Sequence, residues 1–246
     1  MHALIDGDIL LYRCGYGAEN ESEEVAIHRL NNLISKILEE TKATSHAIYL
    51  SDSRDATFRA KLNPEYKGNR KSAKPIHYQL LKDYLINEYF AQVEVEQEAD
   101  DALGIAQTKD TIICSIDKDL LQVPGLHYNF VKEEHITISE EEGVLFFYLQ
   151  LLMGDKADNV PGVTGIGIAK ASNILQEYLG DDELTIFKVV QDEYRNWLQD
   201  FWADQGEWTE LQEQYMNDMI LLNGQMLKIR QTEGEMWQIP TGLTEE

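Results

Sequence analysis

The chain has 246 residues, 43% of them hydrophobic, and a formal net charge of −23 at pH 7. This length and apolar fraction support a sizeable buried core and exclude a disordered chain. No segment approaches the roughly 20 apolar residues that a membrane-spanning helix needs, and the N-terminus lacks the basic region of a signal peptide. Cys14 and Cys114 have no metal-binding spacing. We therefore expect a cytoplasmic protein with reduced cysteines and no membrane association.

The first two thirds of the chain alternates strand-like and helix-like patterns. Strands are predicted at about residues 2–5, 46–50, 111–116, 126–131 and 135–138, and helices at about 22–41, 76–90 and 98–108. This alternation predicts an α/β fold, with a parallel-rich central sheet and helices on both faces. From Ser139 onward the pattern is helical, with helices expected at about 139–153, 168–179, 184–203 and 207–223. We expect an α/β region over residues 1–140 and a helical region over residues 141–246.

Acidic residues follow several of the predicted strands and helices. They are Asp6, Asp52, Asp117 and Asp119 after strands, Glu98, Asp100 and Asp101 at the start of a helix, and Asp155 and Asp158 after a helix. In an open parallel sheet, ligands bind beyond the carboxyl ends of the strands. Clustered carboxylates repel one another unless cations neutralise them. Oxygen ligands without His or Cys select Mg²⁺ or Mn²⁺, and a pair of such ions suits in-line attack on a phosphodiester.

Six segments together resemble one known family. They are LIDGDILLYR (4–13), YLSDSRDATFR (49–59), PEYKGNRK (64–71), EADDALG (98–104), SIDKDLLQ (115–122) and MGDKADNVPGVTGIG (153–167). In these motifs and their order the chain is similar to the 5′-nuclease (flap endonuclease) superfamily, which has a PIN-like fold. That superfamily includes the N-terminal domain of bacterial DNA polymerase I and the stand-alone 5′-exonucleases of T-odd bacteriophages. The sequence shows no polymerase extension, so we expect it to be most similar to the phage enzymes.

The resemblance implies a pair of metal ions. A first ion is expected among Asp6, Asp52, Glu98, Asp100 and Asp101, and a second among Asp117, Asp119, Asp155 and Asp158. The expected cofactor is two Mg²⁺ ions, with Mn²⁺ able to substitute. Asp8 follows the first motif aspartate where relatives commonly carry an uncharged residue, so it is expected at the surface or outside the set of ligands.

A basic segment interrupts the acidic chain. Residues 53–82 contain eight Lys and Arg against two acids, a local charge of +6. DNA contacts are expected from Arg54, Arg59, Lys61, Lys71 and Lys74, with Phe58 and Tyr66 stacking on unpaired bases. The resemblance implies that this segment is an arch over the active site. It also implies that Lys67 and Arg70 contact the scissile phosphate, where a cation stabilises charge developing in the transition state.

A glycine-rich turn precedes the helix predicted at residues 168–179. Gly162, Gly165 and Gly167 allow backbone N–H groups to approach an anion, and a helix N-terminus favours negative charge. The segment lacks the GK[ST] of a P-loop and the strand of a dinucleotide fold. By resemblance it is the helix–three-turn–helix that grips one strand of duplex DNA, with a K⁺ ion at the turn and Lys170 contacting phosphate.

Together these features predict a metal-dependent 5′-nuclease that cuts duplex DNA with a 5′ end, nick or flap; action on RNA–DNA hybrid stays open. Two alternatives stay open: a PIN-like ribonuclease, which usually has fewer acids and no glycine turn, and a non-catalytic protein that binds DNA ends. The sequence leaves open the preference for exonuclease or flap cleavage, the oligomeric state and any replication proteins that bind the chain.

Overall fold

A computed structural model describes residues 1–70 and 72–241, apart from the side chains of Arg54 and Gln205. The chain divides into two compact units. The first contains residues 1–61, 71–138 and 229–234, and the second contains residues 62–70, 139–228 and 235–246. In the described part of the chain, no helix is both long and apolar enough to cross a membrane.

The first unit is built on a six-stranded sheet. Its strands are β1 (His2–Asp6), β2 (Ser45–Ser51), β3 (Gln92–Glu94), β4 (Thr111–Cys114), β5 (Gly125–Asn129) and β6 (Glu134–Ile138), in the order β3-β2-β1-β4-β5-β6. All neighbouring pairs are parallel except β5 with β6, which is antiparallel. The apolar runs of β1 and β4 are buried along their length, as expected of central parallel strands covered on both sides.

Helices cover both faces of this sheet. They are α1 (Gly7–Gly17), α2 (Glu23–Thr41), α3 (Phe58–Leu62), α4 (Tyr78–Tyr89) and α5 (Ala99–Ala106), and a short 3₁₀ helix spans Lys118–Gln122. Ala3 and Ile5 of β1 pack with residues of α1, α2 and α4. Leu4, which points to the opposite face, packs with Leu103 of α5 and with the 3₁₀ helix.

The second unit is mainly helical. It contains α6 (Glu140–Met153), a two-stranded ribbon of β7 (Gly154–Asp155) and β8 (Val160–Pro161), α7 (Ile168–Leu175), α8 (Glu183–Phe201) and α9 (Glu210–Leu227). Ser139 and Glu142 form a capping box at the start of α6. Aliphatic and aromatic side chains form its core, where Phe147 packs against Tyr148 and Trp237.

The predicted fold class is confirmed: the sheet is mostly parallel and a helical part follows it. The sequence patterns did not predict α1, α3, β3 or the β7–β8 ribbon. The compact units also differ in detail from the predicted regions, since residues 62–70 group with the helical part and residues 229–234 group with the sheet.

Candidate active site

Three acids follow adjacent strands of the sheet. Asp6 ends β1, Asp52 follows β2, and Asp117 follows β4. β1 lies between β2 and β4 and is parallel to both, so their carboxyl ends share one edge. Asp6 also caps α1, because its Oδ1 accepts a hydrogen bond from the backbone N–H of Ile9 at 3.1 Å. The fold therefore directs the predicted acids to the edge where open parallel sheets bind ligands.

Asp6 lies in surroundings that disfavour its charge. Its side chain is 2% exposed, and the Ser115 hydroxyl donates to its Oδ2 at 2.6 Å. Burial, and then the charge of Asp8, raise the pKa of Asp6 from 3.8 to about 7, with a smaller contribution from Asp117. The hydrogen bonds from Ser115 and Ile9 act in the opposite direction. A buried carboxylate among other carboxylates, with neutral donors, is a site that a cation would stabilise.

Asp8 belongs to this acidic cluster. Its carboxylate accepts from the backbone N–H of Ser51 at 3.2 Å, and its charge raises the pKa of both Asp6 and Tyr78 after the larger effect of burial. Asp8 was expected at the surface or outside the set of ligands, and the structure places it half-buried beside Asp6. Asp8 is in the first turn of α1, and a sequence pattern that missed this helix could not assign a direction to its side chain.

Ser115 connects two of the acids. It donates to Asp6, and its Oγ accepts from the backbone N–H of Asp117 at 3.0 Å. The Asp117 carboxylate in turn accepts from the N–H of Asp119 at 2.9 Å and caps the 3₁₀ helix. The loop after β4 is thus ordered so that Asp117 lies beside Asp6. Ser115 stands inside the SIDKDLLQ motif, but sequence reasoning assigned it no role.

Lys82 is a further residue that sequence reasoning did not single out. Its Nζ lies 3.9 Å from Oδ1 of Asp52 and donates to the carbonyl of Ser51 at 3.3 Å. Lys82 comes from α4, so only the tertiary fold brings it to the end of β2. The basic segment at residues 53–82 therefore places the Lys82 ammonium beside the acids at the carboxyl edge of the sheet, in addition to its cations at the protein surface.

Two of the predicted site residues form a buried ion pair. The Arg59 guanidinium, 1% exposed, donates to Oδ2 and Oδ1 of Asp101 at 2.6 and 2.8 Å, and to Glu98 at 3.2 Å. Asp101 is fully buried and also accepts from the backbone N–H groups of Glu98 and Arg230, both at 3.1 Å. The structure contradicts two predictions: Asp101 as a metal ligand and Arg59 as a DNA contact. Their charges compensate each other in the core.

In the second unit, the segment at residues 63–70 packs on the loop after β7. Asp158 accepts from the Tyr66 hydroxyl at 2.9 Å and forms ion pairs with Lys67, at 3.6 Å, and with Arg70. The backbone N–H of Lys67 also donates to the Asp158 carbonyl at 2.8 Å. Asp155 accepts from the N–H groups of Ala157 and Asp158 and shapes the turn. The two predicted catalytic cations are therefore held by a predicted metal ligand.

Tyr66 does not present its ring to solvent. It is 2% exposed and belongs to the apolar core of the helical unit, with its hydroxyl directed to Asp158. The prediction that Tyr66 stacks on an unpaired base is contradicted for this reason. Phe58 is likewise covered, by the guanidinium groups of Arg59 and Arg230 at 4.5 and 3.8 Å from its ring centre.

The glycine-rich turn joins β8 to α7. Val163 and Ile166 anchor it in the core, whereas Gly165 and Gly167 are exposed. Gly165 has a φ of +83°, and a Cβ at either exposed glycine would meet no atom within 4 Å. Gly162 differs, because a Cβ there would lie 2.1 Å from the carbonyl carbon of Met153. Close packing against Met153 thus explains why residue 162 is a glycine. At Gly165 and Gly167, by contrast, the backbone at the N-terminus of α7 is exposed to solvent.

The remaining predicted contacts lie at the surface of the two units. Lys61 and Lys170 are exposed, and the Lys61 ammonium lies 3.4 Å from Glu96. The Lys74 ammonium lies 4.0 Å from the centre of the Tyr78 ring. Lys71 is outside the described residues, and the Arg54 side chain is not described.

The acids do not form a complete set of metal ligands as the structure places them. Among residues 1–70 and 72–241, no group of three or more His, Cys, Asp and Glu side chains is arranged to hold a metal ion. What the sheet brings together is a cluster of like charges around Asp6, in which Asp8 and Asp117 act on its pKa.

Comparisons with known proteins agree with this fold. The family described as "5′-3′ exonuclease, N-terminal resolvase-like domain" matches residues 1–147. The chain is 31% identical over 201 residues to a 5′-3′ exonuclease of Buchnera aphidicola subsp. Acyrthosiphon pisum, covering 71% of this chain and 70% of that protein. The chain belongs to the 5′-3′ exonuclease family. The predicted family and the predicted class of enzyme, a nuclease, are therefore confirmed.

Other similar proteins are larger than this chain or more distant in sequence. The chain is 30% identical over 203 residues to DNA polymerase I of Bacillus caldotenax, a match that spans 71% of this chain but only 23% of the polymerase. Among solved structures, the T5 5′-exonuclease with bound divalent metal ions (zinc) has a TM-score of 0.65 at 18% identity, over 92% of this chain and 89% of that one. At that identity the likeness shows the fold alone.

Proposed function

We propose that the chain hydrolyses phosphodiester bonds near the 5′ ends of duplex, nicked or flapped DNA, in a reaction that depends on divalent metal ions. The observation that carries the proposal is the buried Asp6 carboxylate, whose pKa is raised to about 7 at the carboxyl edge of the sheet. Such a carboxylate is costly unless a cation binds it. In a family of 5′-3′ exonucleases, a cation bound there would take part directly in cleavage of the phosphodiester bond.

The donor set fits a hard divalent cation in its chemistry. Asp6, Asp52, Glu98, Asp100, Asp117 and Asp119 are proposed to hold the metal ions in the first unit, with Asp101 left out because Arg59 occupies its oxygens. Asp155 and Asp158 stay predicted ligands of a second ion. Carboxylate oxygens favour Mg²⁺, with Mn²⁺ as a substitute. When bound, such an ion stabilises the negative charge that develops on the phosphodiester.

Lys67 and Arg70 are proposed to bind the scissile phosphate. In the second unit both side chains are paired with Asp158, which fixes their position in the turn at residues 64–70. An approaching phosphate would exchange one anionic partner for another. The flat guanidinium of Arg70 suits two oxygens of a phosphate, while Lys67 acts as a point charge.

The exposed backbone of Gly165 and Gly167 is proposed to contact phosphates of the duplex, with Lys170 on the following helix and a K⁺ ion at the turn. The open space beside both glycines supports close approach of a backbone. A solved structure with this fold is a T5 flap endonuclease in a pseudo-enzyme-product complex with DNA and metal ions. DNA is therefore the proposed polymer, with RNA–DNA hybrid as a second substrate.

Cleavage of four labelled substrates tests the proposal. These are blunt duplex, nicked duplex, a 5′ flap and an RNA-primed duplex, each with Mg²⁺, Mn²⁺ or a chelator. We expect products near the 5′ end with either metal and none with chelator. The Asp117→Asn, Asp119→Asn double variant should bind DNA as tightly as wild type or tighter, because it removes negative charge, and should not cut. Cleavage of single-stranded RNA alone would favour a ribonuclease, and binding without cleavage a DNA-end-binding protein.

A matched pair of glycine variants tests the grip on duplex. Gly165 and Gly180 both have positive φ, +83° and +90°, and a Cβ added at either glycine would meet no atom within 4 Å. Valine at either position should cost about 1–3 kcal/mol of backbone strain. Gly165→Val should in addition weaken binding to every substrate that contains duplex, in K⁺ buffer. Equal DNA affinities for Gly165→Val and Gly180→Val would remove the turn from the proposed interface.

A further inference from the structure

The first unit includes a short piece of chain from far along the sequence. Residues 229–231, called the strap here, group with the sheet although α9 before them belongs to the helical unit. Ile229 is buried beside Leu103 of α5 and Leu120 of the 3₁₀ helix. These two elements carry predicted metal ligands: Glu98 and Asp100 at the start of α5, and Asp119 in the 3₁₀ helix.

On one side the strap forms hydrogen bonds with α5 and with the residues just before it. The backbone N–H of Arg230 donates to Asp101 at 3.1 Å, and the Arg230 guanidinium donates to Gln97 at 3.3 Å and stacks on Phe58 at 3.8 Å. A Cβ at Gly104 would lie 2.3 Å from the Arg230 carbonyl oxygen, so the two backbones are in direct contact. The N-terminus of α5 is therefore held between Arg59 and the strap.

On the other side the strap forms hydrogen bonds with the 3₁₀ helix. The Gln122 side chain is 1% exposed and accepts from the backbone N–H of Ile229 at 3.1 Å. The Gln122 carbonyl accepts from the Gln231 side chain at 3.4 Å. Gln122 is the last residue of the helix that Asp117 caps. The buried amide of Gln122 thus ties the strap to the loop that carries Asp117 and Asp119.

We infer that Arg230 and Gln122 are positioning residues, which keep the two acid-bearing elements, α5 and the 3₁₀ helix, in place beside each other. The inference rests on the proposed function. Acidic side chains that repel one another move apart unless their backbones are fixed, so a segment hydrogen-bonded to both elements opposes their separation. Residues that orient metal ligands typically contribute 10–100-fold to metal affinity or activity. Neither Arg230 nor Gln122 is itself proposed to touch metal or DNA.

The variants Arg230→Ala and Gln122→Leu test this role, with Thr232→Ala as a control on the neighbouring exposed residue. Mn²⁺ binding is measured by calorimetry without DNA, and Mn²⁺-dependent cleavage on a 5′ flap. We expect about a 10-fold loss of Mn²⁺ affinity in both variants, with near-normal kcat at saturating Mn²⁺ and unchanged DNA affinity in chelator. Arg230→Lys should fall between wild type and Arg230→Ala, because the cation stays but the flat stack on Phe58 is lost.

Hydrogen exchange in chelator gives a readout that does not depend on the enzyme's function. Arg230→Ala should speed amide exchange in residues 98–104 and 115–122 relative to Thr232→Ala. Unchanged exchange there, or wild-type Mn²⁺ affinity in both variants, would overturn the strap's role. A wild-type protein that binds no Mn²⁺ and cuts no substrate would overturn the proposed function, and with it the metal-positioning part of this inference, even if the exchange data show the strap to be structural.

Discussion

Replacing Asp6 with asparagine should stabilise the metal-free protein at neutral pH and make it inactive. The folded state holds a carboxylate with a pKa of about 7 where the unfolded chain has 3.8. Because the folded pKa is raised, the protonated form is the favoured one. The stability it provides is fully present below pH 3.8 and is lost as pH rises through 7. Asparagine cannot ionise, so Asp6→Asn avoids that loss.

The size of the effect follows from the pKa values. Three pKa units correspond to at most roughly 4 kcal/mol between the two protonation states. Part of this gain in stability, about 1–2 kcal/mol, is lost in the variant. The asparagine NH₂ group replaces one of the two carboxylate oxygens that accept hydrogen bonds from Ser115 and Ile9. A net gain of about 2 kcal/mol at pH 8 should raise Tm by roughly 4–8 °C for a chain of this size.

Thermal unfolding by circular dichroism in EDTA, from pH 4.5 to pH 8, measures this difference. The gap between Asp6→Asn and wild type should grow with pH and shrink toward pH 4.5. Adding Mg²⁺ should raise the Tm of wild type and leave the variant nearly unchanged. A variant less stable than wild type in EDTA at pH 8, or a difference that does not change with pH, would refute the raised pKa of Asp6 as the cause.

Other substitutions test the remaining assignments. Asp101→Ala leaves the Arg59 guanidinium buried without its main partner, so urea unfolding should show a loss of roughly 3–5 kcal/mol; a variant as stable as wild type would restore Asp101 to the set of ligands. Lys67→Ala should lower kcat by on the order of 10²–10³ in single-turnover cleavage, whereas a change in KM alone would mean that it only steers substrate. Arg70→Lys should keep part of the kcat, since a planar donor pair is lost, and wild-type kcat would contradict this. Lys61→Ala should flatten the salt dependence of flap binding by about one unit of slope, and an unchanged slope would place Lys61 outside the interface.

The sequence predicted the sheet well because its central strands are short apolar runs that each end near an acid. It did not predict α1, whose segment contains three glycines that lower helix propensity. The structure shows why two of them are there: a Cβ at Gly7 would lie 2.6 Å from the Tyr49 carbonyl oxygen, and one at Gly15 would lie 2.7 Å from Pro75. Close packing between elements distant in sequence made this helix unpredictable, and with it the direction of the Asp8 side chain.

Contacts between distant parts of the chain also decide the roles of neighbouring residues within one motif. Asp100 and Asp101 are adjacent, and no local pattern says which of them turns toward the core. The answer depends on Arg59, which lies 42 positions earlier in the chain and reaches Asp101 only in the folded unit. The strap is a stronger case, since Gln122 and Ile229 are 107 positions apart. Sequence spacing carries no information about such pairs.

The charge of each partner, rather than the number of acids, distinguishes the two kinds of carboxylate in the first unit. Asp101 is surrounded by a guanidinium and two backbone N–H groups, so its charge is compensated within the protein. Asp6 has neutral donors and acidic neighbours, which favour its protonated form as long as no cation is bound. Asp6→Asn and Asp101→Ala should therefore shift metal-free stability in opposite directions, although both residues stand in acidic motifs of the same family. That opposition would distinguish the proposed metal site around Asp6 from the buried ion pair of Arg59 and Asp101.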